Sequence, residues 1–295
     1  MTQVYSPLPT SPFFRIADGL NRENKGDNKV AMLSEVDMSS ANNLREQVRD
    51  ATGVKPSYTA LVAKAVALAY RRHPHANRIP VGFFRQRIVQ LHTVDVSVAV
   101  ERDLPGVEQA VFVGTIRNTD TKDLATITRE LIELRDATPE TNTRWRTFKW
   151  IVEKLPSRLA LWLTSLPRWW PSMWVEHRGG ASLISSPAKY GVDMMIAAWP
   201  WPMGFSFGLV KDRPIAINGV VVIRPTMFFT MSFDRRMMGG APAARFFATV
   251  CEYLQNADRW LIKSGDQISV SDEYEGDIFE KRRLSKPVLA TQTSS

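Results

Sequence analysis

Few residues in this chain of 295 carry chemistry by their type and spacing. The densest group is the stretch Ser232–Phe246, where Asp234-Arg235-Arg236 is followed by Gly239-Gly240. It closes a strand-like run and opens the last amphipathic helix, so its middle sits at a turn. A guanidinium stays protonated at any working pH, so Arg235 cannot act as a base. As a planar cation it can clamp a carboxylate or a phosphate, or simply pair with a local acid. Four histidines could move protons: His73 and His75 at the end of a helix, His92 at the end of a strand, and His177 in Glu176-His177-Arg178-Gly179-Gly180. Cys251 is the only cysteine, which excludes an internal disulfide and a multi-cysteine metal site. Beside Val250, Tyr253 and Leu254 it reads as a buried structural thiol.

The elements that must position these groups are legible in outline. Composition is globular, 44% hydrophobic and 23% charged, enough for a sizeable core. A net charge of +8 favours anionic partners: phosphate-bearing cofactors, acidic lipid or nucleic acid. No basic run or familiar motif selects nucleic acid, so none is expected as partner. Val30–Met38 alternates as a strand. Ser39 or Ser40 caps a helix over about 41–52 ended by Gly53, and Ser57 caps a second over about 58–72 with one apolar face. Strands follow at 81–84, 87–92, 94–100 and 110–117, then a helix over 121–136. Past residue 181 strands dominate, at 181–186, 194–198, 203–210, 215–217, 220–225 and 227–233, with Asn218-Gly219 as a hairpin turn. Pro242 falls in the first turn of a helix running to about Leu261. The pattern predicts one α+β domain with a mixed, mostly antiparallel sheet over residues 1–263. A polar tail, flexible or a docking arm, is predicted over 264–295.

Residues 140–180 differ in style. They hold Trp145, Trp150, Trp162, Trp169, Trp170 and Trp174, two apolar helical stripes, and Arg144, Arg146, Lys149, Lys154, Arg158, Arg168 and Arg178. Three readings compete: extra core packed on the domain or across a subunit interface, a helix pair lying on an anionic membrane surface through 144–174, or a lid. No stretch reaches 18 uninterrupted apolar residues. Pro7, Pro9, Pro12, Asp18, Glu23 and Asp27 occupy the place of a signal peptide's apolar region. The expectation is a cytoplasmic protein, peripheral at a membrane if the tryptophan segment docks there.

Four motifs together resemble the catalytic domain of the 2-oxoacid dehydrogenase dihydrolipoamide acyltransferases, which shares its fold with chloramphenicol acetyltransferase. They are Ser57–Asn77 with its Pro74-His75-Ala76-Asn77 ending, Val94–Val100 with Thr115–Asp120 after it, Leu183–Gly191, and Ser232–Phe246. Order and spacing match over about residues 12–263, with 140–180 as a tryptophan-rich insertion. The resemblance implies a chloramphenicol acetyltransferase-like fold and a homotrimer with its active site between subunits. It also implies a coenzyme A or carrier thioester as co-substrate, with no metal. No lipoyl domain precedes the region, so no covalently bound lipoyl group is expected.

In that family a motif His takes the proton from a thiol, and a hydroxyl from the Leu183–Gly191 turn stabilises the oxyanion. Carried over residue by residue, Ser185 or Ser186 supplies the hydroxyl. Asp234 and Arg236 keep the ion pairing of the motif, and with Asn118 they are the expected cofactor-side residues. Arg235 stands where the family has the His, and Gly239 where it has an Asp. His177 is the best-placed substitute base. Two functions follow from the resemblance: an acyltransferase with an altered mechanism, or an inactive member kept for assembly or ligand binding.

Overall fold

In the computed structural model, residues 5–7, 28–82, 85–104, 107–197 and 199–269 are described. The framework is a seven-stranded mixed sheet. Strand β2 (Lys29–Asp37) lies beside β10 (Val220–Asp234), followed by β8 (Met203–Phe207), β7 (Ser182–Ser185), β5 (Val96–Leu104) and β6 (Val107–Ile116); β9 (Lys211–Ile217) flanks the outer half of β10. The pairs β5–β7 and β7–β8 are parallel and the others antiparallel, as the sequence pattern predicts. A small antiparallel sheet joins β1 (Tyr5–Pro7), β4 (Arg87–Leu91) and β3 (Arg78–Val81).

The central strand is one element of 15 residues rather than the two expected on either side of Thr226. Pro225 lacks an N–H, but its polar backbone edge faces the β2 side, where the paired ladder begins only at Thr226, so the β9 ladder loses no bond. Its carbonyl still accepts from the Met38 amide at 2.8 Å. Asn218 and Gly219 both have positive φ (50° and 81°), the backbone of a tight hairpin turn. The strand expected at 194–198 does not form a ladder. Its carbonyls are held by hydroxyls of β10 instead: Thr230 donates to the Met195 carbonyl (2.7 Å) and Ser232 to that of Ala197 (2.6 Å).

Helix α1 (Ser39–Thr52) ends at Gly53 in the left-handed conformation (φ 72°). Helix α2 (Tyr58–Arg72) is buried at every position from Ala60 to Tyr70, not along one stripe as expected. Even Lys64 is 1% exposed; its ammonium donates to the carbonyls of Asp120 (2.6 Å) and Lys122 (2.7 Å). Burial brings its pKa down to about 8. The Ser57 hydroxyl accepts from the Ala60 amide at 3.1 Å, so Ser57→Ala is expected to lower stability by about 1 kcal/mol, read from the urea midpoint.

Helix α3 (Leu124–Asp136) starts three residues later than expected because the Asp123 carboxylate caps it, accepting from Thr126 at 2.7 Å. Residues 140–180 make three helices, not two: α4 (Thr143–Lys154), α5 (Ser157–Ser165) and α6 (Pro171–Arg178). Pro171 opens the third helix, where its missing N–H costs nothing. The last helix is broken at Asn256 into α7 (Gly240–Gln255) and α8 (Ala257–Trp260). Cys251 on α7 is buried, and burial pushes its thiol up to about 12. The predicted tail begins docked: the Gly265 amide donates to the Asp120 carbonyl at 3.0 Å. Residues 270–295 lie outside the described residues. Among the described residues no helix is long and apolar enough to cross a membrane.

Candidate active site

Strand register fixes where the chemistry sits. One row of paired residues runs across the sheet: Ile116, Val96, Ser182, Met203, Phe233 and Val30. Three residues up β7, Ser185 aligns with Ser206 and, beyond it, Thr230. Arg235 lies two residues past Phe233 in the opposite direction. Within one chain, Ser185 and Arg235 are therefore about 17 Å apart along the strands and about 10 Å across them. They occupy opposite ends of the sheet.

The turn after β10 is built by Asp234, 2% exposed. Its Oδ1 accepts from the Arg236 amide (2.9 Å) and Nε (3.0 Å), and its Oδ2 from Nη2 (2.6 Å). Arg236 also reaches Gln86 Oε1 at 3.3 Å. This pair holds the turn rigid, the role the resemblance implies. Arg235 is exposed, and its amide donates to the Asn28 carbonyl at 2.8 Å. Among the described residues its guanidinium has no acid partner. Gly239 is the N-cap of α7, in an ordinary extended conformation (φ −73°, ψ 172°).

Of the two candidate hydroxyls, Ser186 is committed: it donates to the Phe207 carbonyl (2.8 Å) and accepts from the Ala188 amide (3.3 Å). Ser185 is half-buried, and no hydrogen bond of its hydroxyl occurs among the described residues. His177 is exposed on α6. Gly179 (φ 74°) and Gly180 then enter β7, where a Cβ on Gly180 would stand 1.7 Å from the Asp95 carbonyl oxygen. The strand carries Ser185 about 10 Å beyond that entry, so closeness in sequence does not bring His177 to Ser185. His73 is buried against Thr249 (2.8 Å), and burial pulls its pKa down to about 4; burial lowers His75 as well. Asn118 is exposed at the turn after β6, with φ 46° and its amide on Asp95 Oδ1 at 2.9 Å. It lies four strands from Asp234 and Arg236, so the three do not form one group.

Next to the Asp234 turn lies a cavity of about 570 Å³. Lys29, Arg168, Arg178 and Arg236 line it with Trp169, Trp174, Trp199 and Trp201. Lys29 Nζ donates to the Trp201 carbonyl, and burial lowers its pKa to about 8 against the opposing pull of Asp234. Spacing alone does not point to these residues. The one local signal is Trp199-Pro200-Trp201-Pro202, whose prolines stiffen a chain carrying two indoles.

The tryptophan segment is half core and half surface. Trp145, Trp169 and Trp174 are buried, whereas Trp150, Trp162 and Trp170 are each at least half exposed. Trp145 Nε1 donates to the Val113 carbonyl at 2.9 Å and its ring packs on Phe112. Trp174 Nε1 donates to the Gly180 carbonyl at 3.1 Å, tying α6 to the start of the serine strand. Packing as extra core on this chain's own domain holds for the first three rings.

Residues 14–149 and 175–262 match the family described as 2-oxoacid dehydrogenases acyltransferase (catalytic domain), and residues 150–174 fall between the matched parts. The dihydrolipoyllysine-residue succinyltransferase component of the 2-oxoglutarate dehydrogenase complex of Escherichia coli (strain K12) is 26% identical over 254 residues, 84% of this chain and 54% of that protein. The mitochondrial counterpart of Saccharomyces cerevisiae is 25% identical, covering 84% and 47%. The chain thus spans about half the length of these relatives. Among solved structures, the Azotobacter vinelandii dihydrolipoamide acetyltransferase is similar at a TM-score of 0.58 and 21% identity, over 87% of this chain and 93% of that one. A chloramphenicol acetyltransferase is similar at 0.51 and 16%, over 85% and 99%. The fold is accordingly the α+β, chloramphenicol acetyltransferase-like one.

Proposed function

The chain belongs to the 2-oxoacid dehydrogenase acyltransferase (catalytic domain) family, and from that premise we propose that it transfers an acyl group from a coenzyme A or carrier thioester to an acceptor that needs no enzymic base. An amine is such an acceptor. The observation that carries this reading is the contrast between the two serines: Ser186 is tied to the backbone, while Ser185 keeps a hydroxyl available at the strand end.

The amine nitrogen attacks the thioester carbonyl, and a bond forms as the carbonyl oxygen becomes an oxyanion. Ser185 donates its hydroxyl to that oxygen. The intermediate collapses, the C–S bond breaks and the thiolate leaves; the ammonium proton passes to water or to the thiolate. Arg235 takes no proton. Its exposed guanidinium clamps a phosphate or carboxylate of the donor. Because Ser185 and Arg235 stand at opposite ends of one sheet, the working site joins the Ser185 of one copy to the Arg235 of another. This supports a homotrimer with three such sites.

Release of free thiol from acetyl-coenzyme A in the presence of benzylamine tests the reading. Ser185→Ala is expected to lower the rate by about 10²–10³-fold, with Ser186→Ala acting on stability instead. Absence of calorimetric binding of acetyl-coenzyme A, together with no effect of either substitution, would leave the chain as an inactive member kept for assembly or ligand binding.

A further inference from the structure

The cavity beside the Asp234 turn has features that acyl transfer does not call on. Its walls are unusually aromatic for a site at a protein surface: Trp174 is 1% exposed, Trp201 8% and Trp169 9%. Among the described residues of the lining the one carboxylate, Asp234, is held by Arg236, which leaves Arg168 and Arg178 without a carboxylate there. Arg178 is half-buried, with its Cζ 4.8 Å from the Trp174 ring and 5.7 Å from that of Trp201. Arg168 lies 5.7 Å from the ring of Trp169. Cation–π contacts hold the faces of a guanidinium and leave its N–H edge for an anion. The one hydrogen bond from Arg178 Nη1 in the cavity is long, 3.4 Å to the Pro200 carbonyl. Neither arginine has a carboxylate partner among the described residues.

The volume, about 570 Å³, is that of a small-molecule site. Arg168, Trp169 and Trp174 come from residues 150–174, between the parts that match the family.

We infer that the cavity binds a small carboxylic acid with a flat apolar body, an aromatic acid in chemical class, its carboxylate on the Arg178 edge and its body against the indoles. Binding here stands apart from the acyl-transfer reading, and neither depends on the other.

Titration of the full chain with 2-naphthoate, followed by tryptophan fluorescence, tests it, with 2-naphthalenemethanol as the neutral counterpart and inorganic phosphate as the anion without a body. Saturable binding of naphthoate at least tenfold tighter than the alcohol is expected. Arg178→Gln should abolish that preference while leaving the alcohol unchanged. If Arg178→Gln loses its cooperative unfolding transition, Arg168→Gln supplies the same comparison. Equal affinity for the alcohol, displacement by phosphate at similar concentration, or indifference to both arginine substitutions would overturn the assignment. Thiol release from acetyl-coenzyme A is not part of this readout, so a failure here leaves the proposed activity untouched.

Discussion

Arg235→His combined with Gly239→Asp is expected to raise acetyl transfer from acetyl-coenzyme A to dihydrolipoamide by about 10²–10⁴-fold, the usual contribution of a positioned base. A thiol acceptor needs that base where an amine does not. The local structure admits both changes. Arg235 is exposed, and its backbone amide holds the Asn28 carbonyl. A Cβ at Gly239 would meet nothing nearer than Pro242 Cδ at 3.9 Å, and φ there is −73°. Aspartate is moreover a good N-cap, better than glycine by a few tenths of a kcal/mol, so the variant should be no less stable. The Asp234–Arg236 clamp that orients the turn is already in place. The new activity should fall on acidification through about pH 6.5, where an ordinary imidazole gains its proton. No gain in rate would mean that the thiol path is blocked elsewhere and that more than the base has been lost.

Trp174→Ala is expected to destabilise the chain by about 3–5 kcal/mol, measured by urea unfolding. Trp174 is 1% exposed, its N–H holds the Gly180 carbonyl, and Arg178 stacks on its ring. Removing it opens a void beneath α6 and frees the start of the strand that carries Ser185. Trp162→Ala offers the control. That ring is 50% exposed, so its loss should cost well under the buried value. An equal loss at Trp162 would place the outer indoles under a second copy of the chain.

Much of the frame was legible because local signals agreed with the tertiary structure. Ser57 has its capped amide, Gly53 its left-handed turn, and Asn218-Gly219 its hairpin. The alternating valines of β5 and the order of four motifs led to the right family. What periodicity could not carry was anything set by neighbours in space. The full burial of α2 comes from elements packed around it, and the continuity of β10 through Pro225 from which strand lies alongside. Whether Ser185 or Ser186 keeps its hydroxyl depends on the Phe207 carbonyl, twenty-one residues away. His177 looked close to Ser185 in sequence, but a strand is extended and carries its two ends apart. The division of the six tryptophans into buried and exposed halves follows from the three-helix path of 143–178. A helical stripe drawn from sequence does not contain that path.

The placement of Ser185 and Arg235 at opposite ends of the sheet also bears on how activity scales. On the proposed two-copy site, a lone copy would hold two half-sites that face away from each other, and no hinge within a hydrogen-bonded sheet could fold them together. Turnover by this pair would then be a property of the associated state. Activity per chain is expected to fall on dilution as copies separate, and a surface substitution far from any reacting atom would silence the chemistry by weakening association alone.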